Sequence, residues 1–192
     1  MTTLQTTILS TPAGAFTALH DGDGVLAAGF TTDPAALRRL LPAVRRDDPV
    51  AVETHPGAVA TALAAYFAGD LAAIDDVAVA ATGTAYQQRA WAALRALPPG
   101  APVSYAQLAA RTGSPTAARA AGSACGRNPT AVVVPCHRVV RGDGALGGFA
   151  WGLEAKRWLL DHERRHLASA TPASPPTRPR APVRRQPAGP RS

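Results

Sequence analysis

Residues 104–140 read SYAQLAARTGSPTAARAAGSACGRNPTAVVVPCHRVV, and the two parts of this stretch set the fold and the chemistry. Ser104 precedes YAQLAAR, and a serine in that place accepts a hydrogen bond from a first-turn N–H, which predicts a short helix. Thr112-Gly113-Ser114 is a turn, and Pro115, whose fixed φ suits a first helical position, opens a second helix over PTAARAAGSAC. Two short helices about a three-residue, glycine-containing turn make a helix-turn-helix. The second helix carries almost no side chain at Ala117, Ala118, Ala120, Ala121 and Gly122, and Arg119 projects alone from that row. Such a helix can bring its backbone close to DNA or to another helix, and its composition leaves both open.

In the second part, an Asn128-Pro129 turn leads into a β-branched run that predicts a strand ending in Pro135, Cys136, His137 and Arg138. A cysteine attacks only as thiolate, and an ordinary thiol is mostly protonated at neutral pH, so a reactive Cys136 needs a base nearby. His137 is adjacent. Neighbours on a strand point to opposite faces, so the spacing predicts a bridging water rather than direct contact. A carboxylate that fixes the imidazole tautomer would complete the set. The helix GLEAKRWLLDHE, residues 152–163, ends in Glu163 and presents Leu153, Lys156, Arg157, Leu160 and Glu163 on one face; Glu154 and Asp161 are rivals on it. The bland alternative is that Cys136 is a small buried hydrophobe.

Upstream, TTILST, AFTALH and GVLAAGF, separated by turn residues within 6–30, predict a small antiparallel sheet. DPAALRRLLPAV (33–44) and PGAVATALAAYFAG (56–69) predict two helices that cover it. The pattern changes near 82–84 to dense helix, beginning with AYQQRAWAALRA at 85–96, whose Tyr86, Ala90, Trp91 and Leu94 share a face. The expected division is therefore 1–82, 83–167 and a Pro/Arg-rich tail at 168–192. That tail has seven prolines, five arginines and no acid, so it is expected to be disordered and supplies +5 of the +7 net charge. The remaining +2 does not by itself imply nucleic acid. Lys156 is the only lysine.

A 192-residue chain that is 46% hydrophobic can bury a core. No window approaches the ~18 apolar residues of a membrane span, so no membrane partner is expected. Two cysteines, ten residues apart in between, make neither a disulfide framework nor a CxxC pair, and the default expectation is a cytoplasmic protein.

PCHRVV after Asn128-Pro129 and the helix-turn-helix, followed by Gly147-Gly148-Phe149 and KRWLLDHE, closely resembles the methylated-DNA–protein-cysteine methyltransferases, or O6-alkylguanine-DNA alkyltransferases. GTAYQQRAW and PVSYAQLAAR extend the resemblance over 84–163, and STPAGAF and AYFAGD resemble the family's looser N-terminal part. The resemblance implies a mixed α/β (α+β) fold with a ribonuclease-H-like N-terminal domain and a winged, helix-turn-helix C-terminal domain. It implies Cys136 as alkyl acceptor, His137 as water-mediated base, Glu163 as its partner, Asn128 as a brace and Tyr105 as proton donor to the leaving guanine. It places Arg119, Ala117, Ala118, Ser104, Tyr105 and Arg138 on DNA, and Pro135, Val139, Phe149 and Trp151 around the alkyl group. The implied partner is double-stranded DNA containing O6-alkylguanine, met by a bacterial-type monomer on the nucleoid, with neither metal nor organic cofactor. One alkyl group would be taken per molecule, because a thioether offers water no electrophilic carbonyl.

Two residues depart from the family pattern. Phe149 stands where tyrosine is common, and Trp151 where many members carry glycine, which predicts a narrowed pocket that disfavours benzyl-sized groups. Three alternatives remain at this stage: a non-catalytic helix-turn-helix module, a zinc site from Cys125, Cys136, His162 and His166, and a cysteine hydrolase using Cys136, His137 and Glu163.

Overall fold

The computed structural model describes residues 3–22 and 24–170. Strands β1 (Leu4–Thr11), β2 (Gly14–Asp21) and β3 (Gly24–Gly29) form the antiparallel sheet expected from the three β-prone runs. A fourth strand, β4 (Val50–Val52), adds parallel to β1 and gives the order β3-β2-β1-β4. Three residues between Pro49 and Glu53 are too short a run for a period-2 signal, which is why the sequence does not announce it.

Helix α1 covers only Pro34–Arg38, capped by Asp33 on the Ala35 N–H, and is much shorter than the expected 33–44. Pro42 disfavours helical backbone at Leu41, so the chain turns and resumes as a 3-10 turn at Ala43–Arg45. Arg45 is tied there to Asp21 and Asp48. Helix α2 (Ala58–Ala68) begins two residues after Pro56, and Glu53 Oε1 accepts from the Gly57 N–H at its start.

The helical part comprises α3 (Ala85–Arg95), α4 (Tyr105–Arg111), α5 (Ala118–Gly126) and α6 (Leu153–Ala170), with a two-stranded parallel sheet of β5 (Val103–Ser104) and β6 (Val139–Val140). Both α3 and α4 start with full capping boxes, Thr84 with Gln87 and Ser104 with Gln107. Gly113 turns the chain at φ 77°, a left-handed position that glycine adopts without cost. Helix α5 starts at Ala118 rather than at Pro115, because 115–117 form an additional turn. Helix α6 continues past Glu163 to 170, so residues 168–170 of the expected tail are helical; 171–192 lie outside the described residues.

A continuous core crosses the 82/83 division. Phe16, Val25, Leu63 and Tyr66 from the sheet and α2 pack with Val132, Val133 and Leu159. At roughly 1.5–3 kcal/mol for each fully buried large apolar side chain, this shared cluster is a substantial fastening. The edge of β3 that does not pair with β2 is used as well. Ala28 N–H donates to Pro129 O at 2.8 Å and Ala28 O accepts from Ala131 N at 3.1 Å, so the sheet edge grips the loop that leads to Cys136.

Candidate active site

That loop is not the strand its β-branched residues predict. Val132, Val133 and Val134 are all buried, so no solvent-facing alternation exists to make a half-buried strand. The chain instead turns tightly, with Val132 at φ 72°, and Cys136–Arg138 form a 3-10 turn. A positive φ at a β-branched residue is strained and persists only where packing over-determines it. Asn128 supplies much of that determination. Its Nδ2 donates to Val134 O at 2.8 Å and lies 3.2 Å from Cys136 Sγ, while its Oδ1 accepts from Thr130 N at 3.0 Å and Thr130 Oγ1 at 3.2 Å.

His137 and Glu163 are both fully buried, and His137 Nε2 lies 2.9 Å from Glu163 Oε1. Burial pushes the Glu163 carboxyl up, but the hydrogen bonds and charges of His137 and Arg138 outweigh it and hold the carboxyl far below the usual range. An ionised carboxylate only accepts, so Nε2 carries the imidazole proton and Nδ1 keeps a lone pair. Nδ1 is buried without a hydrogen-bond partner. Burial, with Arg138 and Lys156 adding to it against Glu163, lowers the His137 pKa and favours this neutral form. The Cys136 thiol is raised by burial and partly relieved by Asn128 and Lys156. With Nε2 on Glu163 and Nδ1 without a partner, His137 makes no direct hydrogen bond to Cys136, so proton transfer between them requires an intermediary.

Cys136 opens onto a pocket of about 180 Å³ lined also by Tyr105, Gly122, Cys125, Gly126, Gly148, Phe149 and Ala150. Burial first, then the two cysteines, raise the Tyr105 phenol, so it holds its proton at neutral pH. Gly147 is required beside it: φ is +66°, and a Cβ there would lie 2.9 Å from Tyr105 Oη. A larger cavity of about 440 Å³, lined in part by His20, Ala58 and Val77, holds no cysteine, so the chemistry selects the smaller one.

Several residues expected at the site lie elsewhere. Arg138 does not face DNA: it is 2% exposed, forks onto Glu163 through Nε and Nη2, and donates to Leu97 O. A guanidinium that adjoins the only buried carboxylate of the site pairs with it rather than with solvent. Trp151 does not narrow the pocket. Its ring lies over Gly29, where a Cβ would come within 2.0 Å, and packs against the cluster of Leu4, Leu19, Leu26 and Leu37. Val139 is buried in β6, and Pro135 is buried in the loop; neither lines the pocket. Ser104 spends its hydroxyl on the α4 cap. The expected α6 face is also rotated, since Leu153 and Arg157 are exposed while Ala155, Lys156, Leu159, His162 and Glu163 are buried. Arg119, as expected, projects into solvent, with Ala117 and Ala118 half-buried beside it. His162 stacks on Trp158 and lies tilted against His166, with its Nε2 2.8 Å from Tyr66 O, and no group of three or more metal-ligating side chains gathers among the described residues.

Three contributors carry weak sequence signals or none. Lys156 is fully buried and donates to Val139 O at 2.6 Å and Gly148 O at 3.2 Å, tying the pocket wall to the strand after Cys136; its being the only lysine in the chain was a signal. Cys125 lines the pocket with its thiol pushed up to about 12 by burial. Tyr66, 97 residues from Glu163, donates to its Oε1 at 3.0 Å.

Residues 85–165 match the family model for the 6-O-methylguanine DNA methyltransferase DNA-binding domain. The methylated-DNA–protein-cysteine methyltransferase of Salmonella typhimurium is 53% identical over 110 residues, 57% of this chain; the chain spans 64% of that relative's length. The Haemophilus influenzae protein of the same name is 36% identical over 164 residues, covering 85% of this chain and 88% of the relative. The crystal structure of Mycobacterium tuberculosis O6-methylguanine methyltransferase superposes with TM-score 0.69 at 36% identity, covering 91% of this chain and 97% of that one. Another M. tuberculosis structure, 32% identical and covering 85% of this chain and 94% of that one, is a complex with DNA and has TM-score 0.69. With a relative matched over nearly its whole length and the cysteine, histidine and glutamate brought together as described, the chain belongs to the methylated-DNA–protein-cysteine methyltransferase family.

Proposed function

We propose that this protein removes the alkyl group from O6-alkylguanine in double-stranded DNA, and from O4-methylthymine in the same pocket, and retains it on Cys136. The observation that carries this reading is a thiol lining a base-sized pocket beside a buried His137 whose Nε2 is committed to Glu163 and whose Nδ1 lone pair is free. A monomer acts once.

The lesion lies inside stacked DNA, so the nucleotide must flip out, at a cost of a few kcal/mol that a damaged pair reduces. The helical part, from 83 onward, does this work. Helix α5 approaches the groove on its small residues and Arg119 fills the space that the base leaves, which fits its exposure. A water hands the Cys136 proton to His137 Nδ1, and the resulting imidazolium is stabilised by Glu163. The sulfur attacks the alkyl carbon, the carbon–oxygen bond breaks, and Tyr105 gives its proton to the departing guanine, later recovering one from the imidazolium through solvent. The alkyl group ends as a thioether. Asn128 holds Sγ at the start of this path.

The test is incubation with excess duplex containing isotopically labelled O6-methylguanine. One label per protein, located on the peptide containing Cys136 and absent from Cys136→Ser, is the expected result. Transfer by the serine variant, or repair of several lesions per molecule, contradicts the mechanism.

A further inference from the structure

Tyr66 is fully buried, and a phenylalanine would fill the same space; a buried hydroxyl is costly unless it is bonded. Its partner is the carboxylate that serves the base. We propose that Tyr66 is a positioning residue of the alkyl-transfer site: its hydroxyl, carried in by α2, holds the Glu163 oxygen that orients His137 and takes up part of that oxygen's charge. The inference rests on the alkyl-transfer reading for the role given to His137.

Glu163 Oε1 accepts from Tyr66 Oη at 3.0 Å, from His137 Nε2 at 2.9 Å and from Arg138 Nη2 at 2.8 Å, Oε2 accepts from Gly100 N at 2.9 Å, and Arg138 Nε is shared between the two oxygens at 2.9 and 3.1 Å. A carboxylate has about four lone-pair sites, so this one is saturated. Tyr66 is itself clamped by the residue next to Glu163: His162 Nε2 lies 2.8 Å from Tyr66 O, and the two rings are 5.4 Å apart. Burial first, and then the Glu163 charge, hold the Tyr66 phenol well above its ordinary value, so it is a permanent donor. Each donor on Oε1 reduces the negative charge left for an imidazolium at Nε2. Arg138 and Lys156 are the other charges that disfavour the imidazolium. Both residues remain in the variant, although Arg138 also acts on the Tyr66 hydroxyl directly.

The consequence is a sign. Burial holds both Cys136 and His137 neutral, so the first proton released from acid solution belongs to the imidazolium. Without the Tyr66 hydroxyl, Glu163 binds that imidazolium more strongly and the proton leaves at higher pH.

Tyr66→Phe in the full chain is measured in two ways: single-turnover methyl transfer from duplex DNA across roughly pH 5–8, and DNA-free alkylation of Cys136 by iodoacetamide, located by peptide mass. In both, the acid limb of the pH–rate profile moves to higher pH, so that on that limb the variant is slower than the wild type by about tenfold for each pH unit the limb moves. An unchanged limb with only a lower melting temperature assigns the hydroxyl to packing and overturns the proposal, as does a variant that fails to fold. If the wild type moves no methyl group from DNA while the iodoacetamide limb still shifts, the repair reading fails and the placement of Tyr66 stands.

Discussion

The inner and outer faces of the Cys136 loop are built on opposite principles. On the inner face, His137, Arg138, Lys156 and Glu163 are at most 2% exposed and almost every polar atom has a fixed partner. On the outer face, Arg119 stands in solvent on a helix whose neighbouring side chains are methyl groups. A group that must hold one tautomer against a developing charge gains from burial and saturation. A group that enters DNA must be free until the partner arrives, and the surface around it must be thin. The difference predicts that inner-face substitutions damage folding and chemistry together, whereas outer-face substitutions damage only the encounter with DNA.

The largest effect is expected at the inner face. Glu163→Ala leaves Arg138 and His137 buried without their anion, and should cost about 3–5 kcal/mol of stability, read by denaturant unfolding, together with nearly all transfer. A soluble, fully stable Glu163→Ala would break the comparison. Next is Trp151→Ala, which removes a half-buried ring from the leucine cluster over Gly29 and should cost about 2 kcal/mol. Its relative rates with O6-methyl- and O6-benzylguanine should be unchanged, because the ring is not in the pocket. A selective gain for the benzyl compound would return Trp151 to the pocket wall. Arg119→Ala is the outer-face counterpart: unfolding is unaffected, DNA affinity or transfer falls by about tenfold, and DNA-free alkylation of Cys136 by iodoacetamide keeps its rate. A change in that DNA-free rate would show the two faces to be coupled.

What the sequence disclosed follows the same division. Features set by local chemistry were legible: the capping residue Ser104, the three strand runs, and the alanine row around Arg119. Features set by partners distant in sequence were not. Arg138 next to His137 reads as an exposed cation until Glu163, 25 residues on, is brought against it, and nothing near Tyr66 signals a carboxylate 97 residues away. The valine run reads as a strand because its residues are β-branched, and the competing force is burial of three consecutive side chains in two clusters, Val132 and Val133 against the sheet, α2 and α6, and Val134 against α3, α4 and α5. Trp151 misled for a related reason, since a large aromatic near the pocket in sequence was claimed by the leucine cluster in space.

Acid separates the two faces with the smallest expected effect. His137 is held below its ordinary value of 6.5 by burial, so the unfolded chain binds a proton there more readily than the folded one. Stability contributed by the neutral imidazole is therefore complete above about pH 6.5 and drains away as the pH falls towards the folded value. His20 and His162, also lowered by burial, act in the same direction. Glu163, whose folded pKa is depressed, keeps its contribution until the pH drops below 4.5, its ordinary value, so the histidines dominate between neutrality and pH 5. The melting temperature should thus fall by a few degrees from pH 7 to pH 5 in the wild type and equally in Arg119→Ala, but less steeply in His137→Gln, which has no imidazole to protonate. Equal slopes in all three proteins would mean that the buried base is not what acid attacks, and that the inner face is less closed than its hydrogen bonds imply.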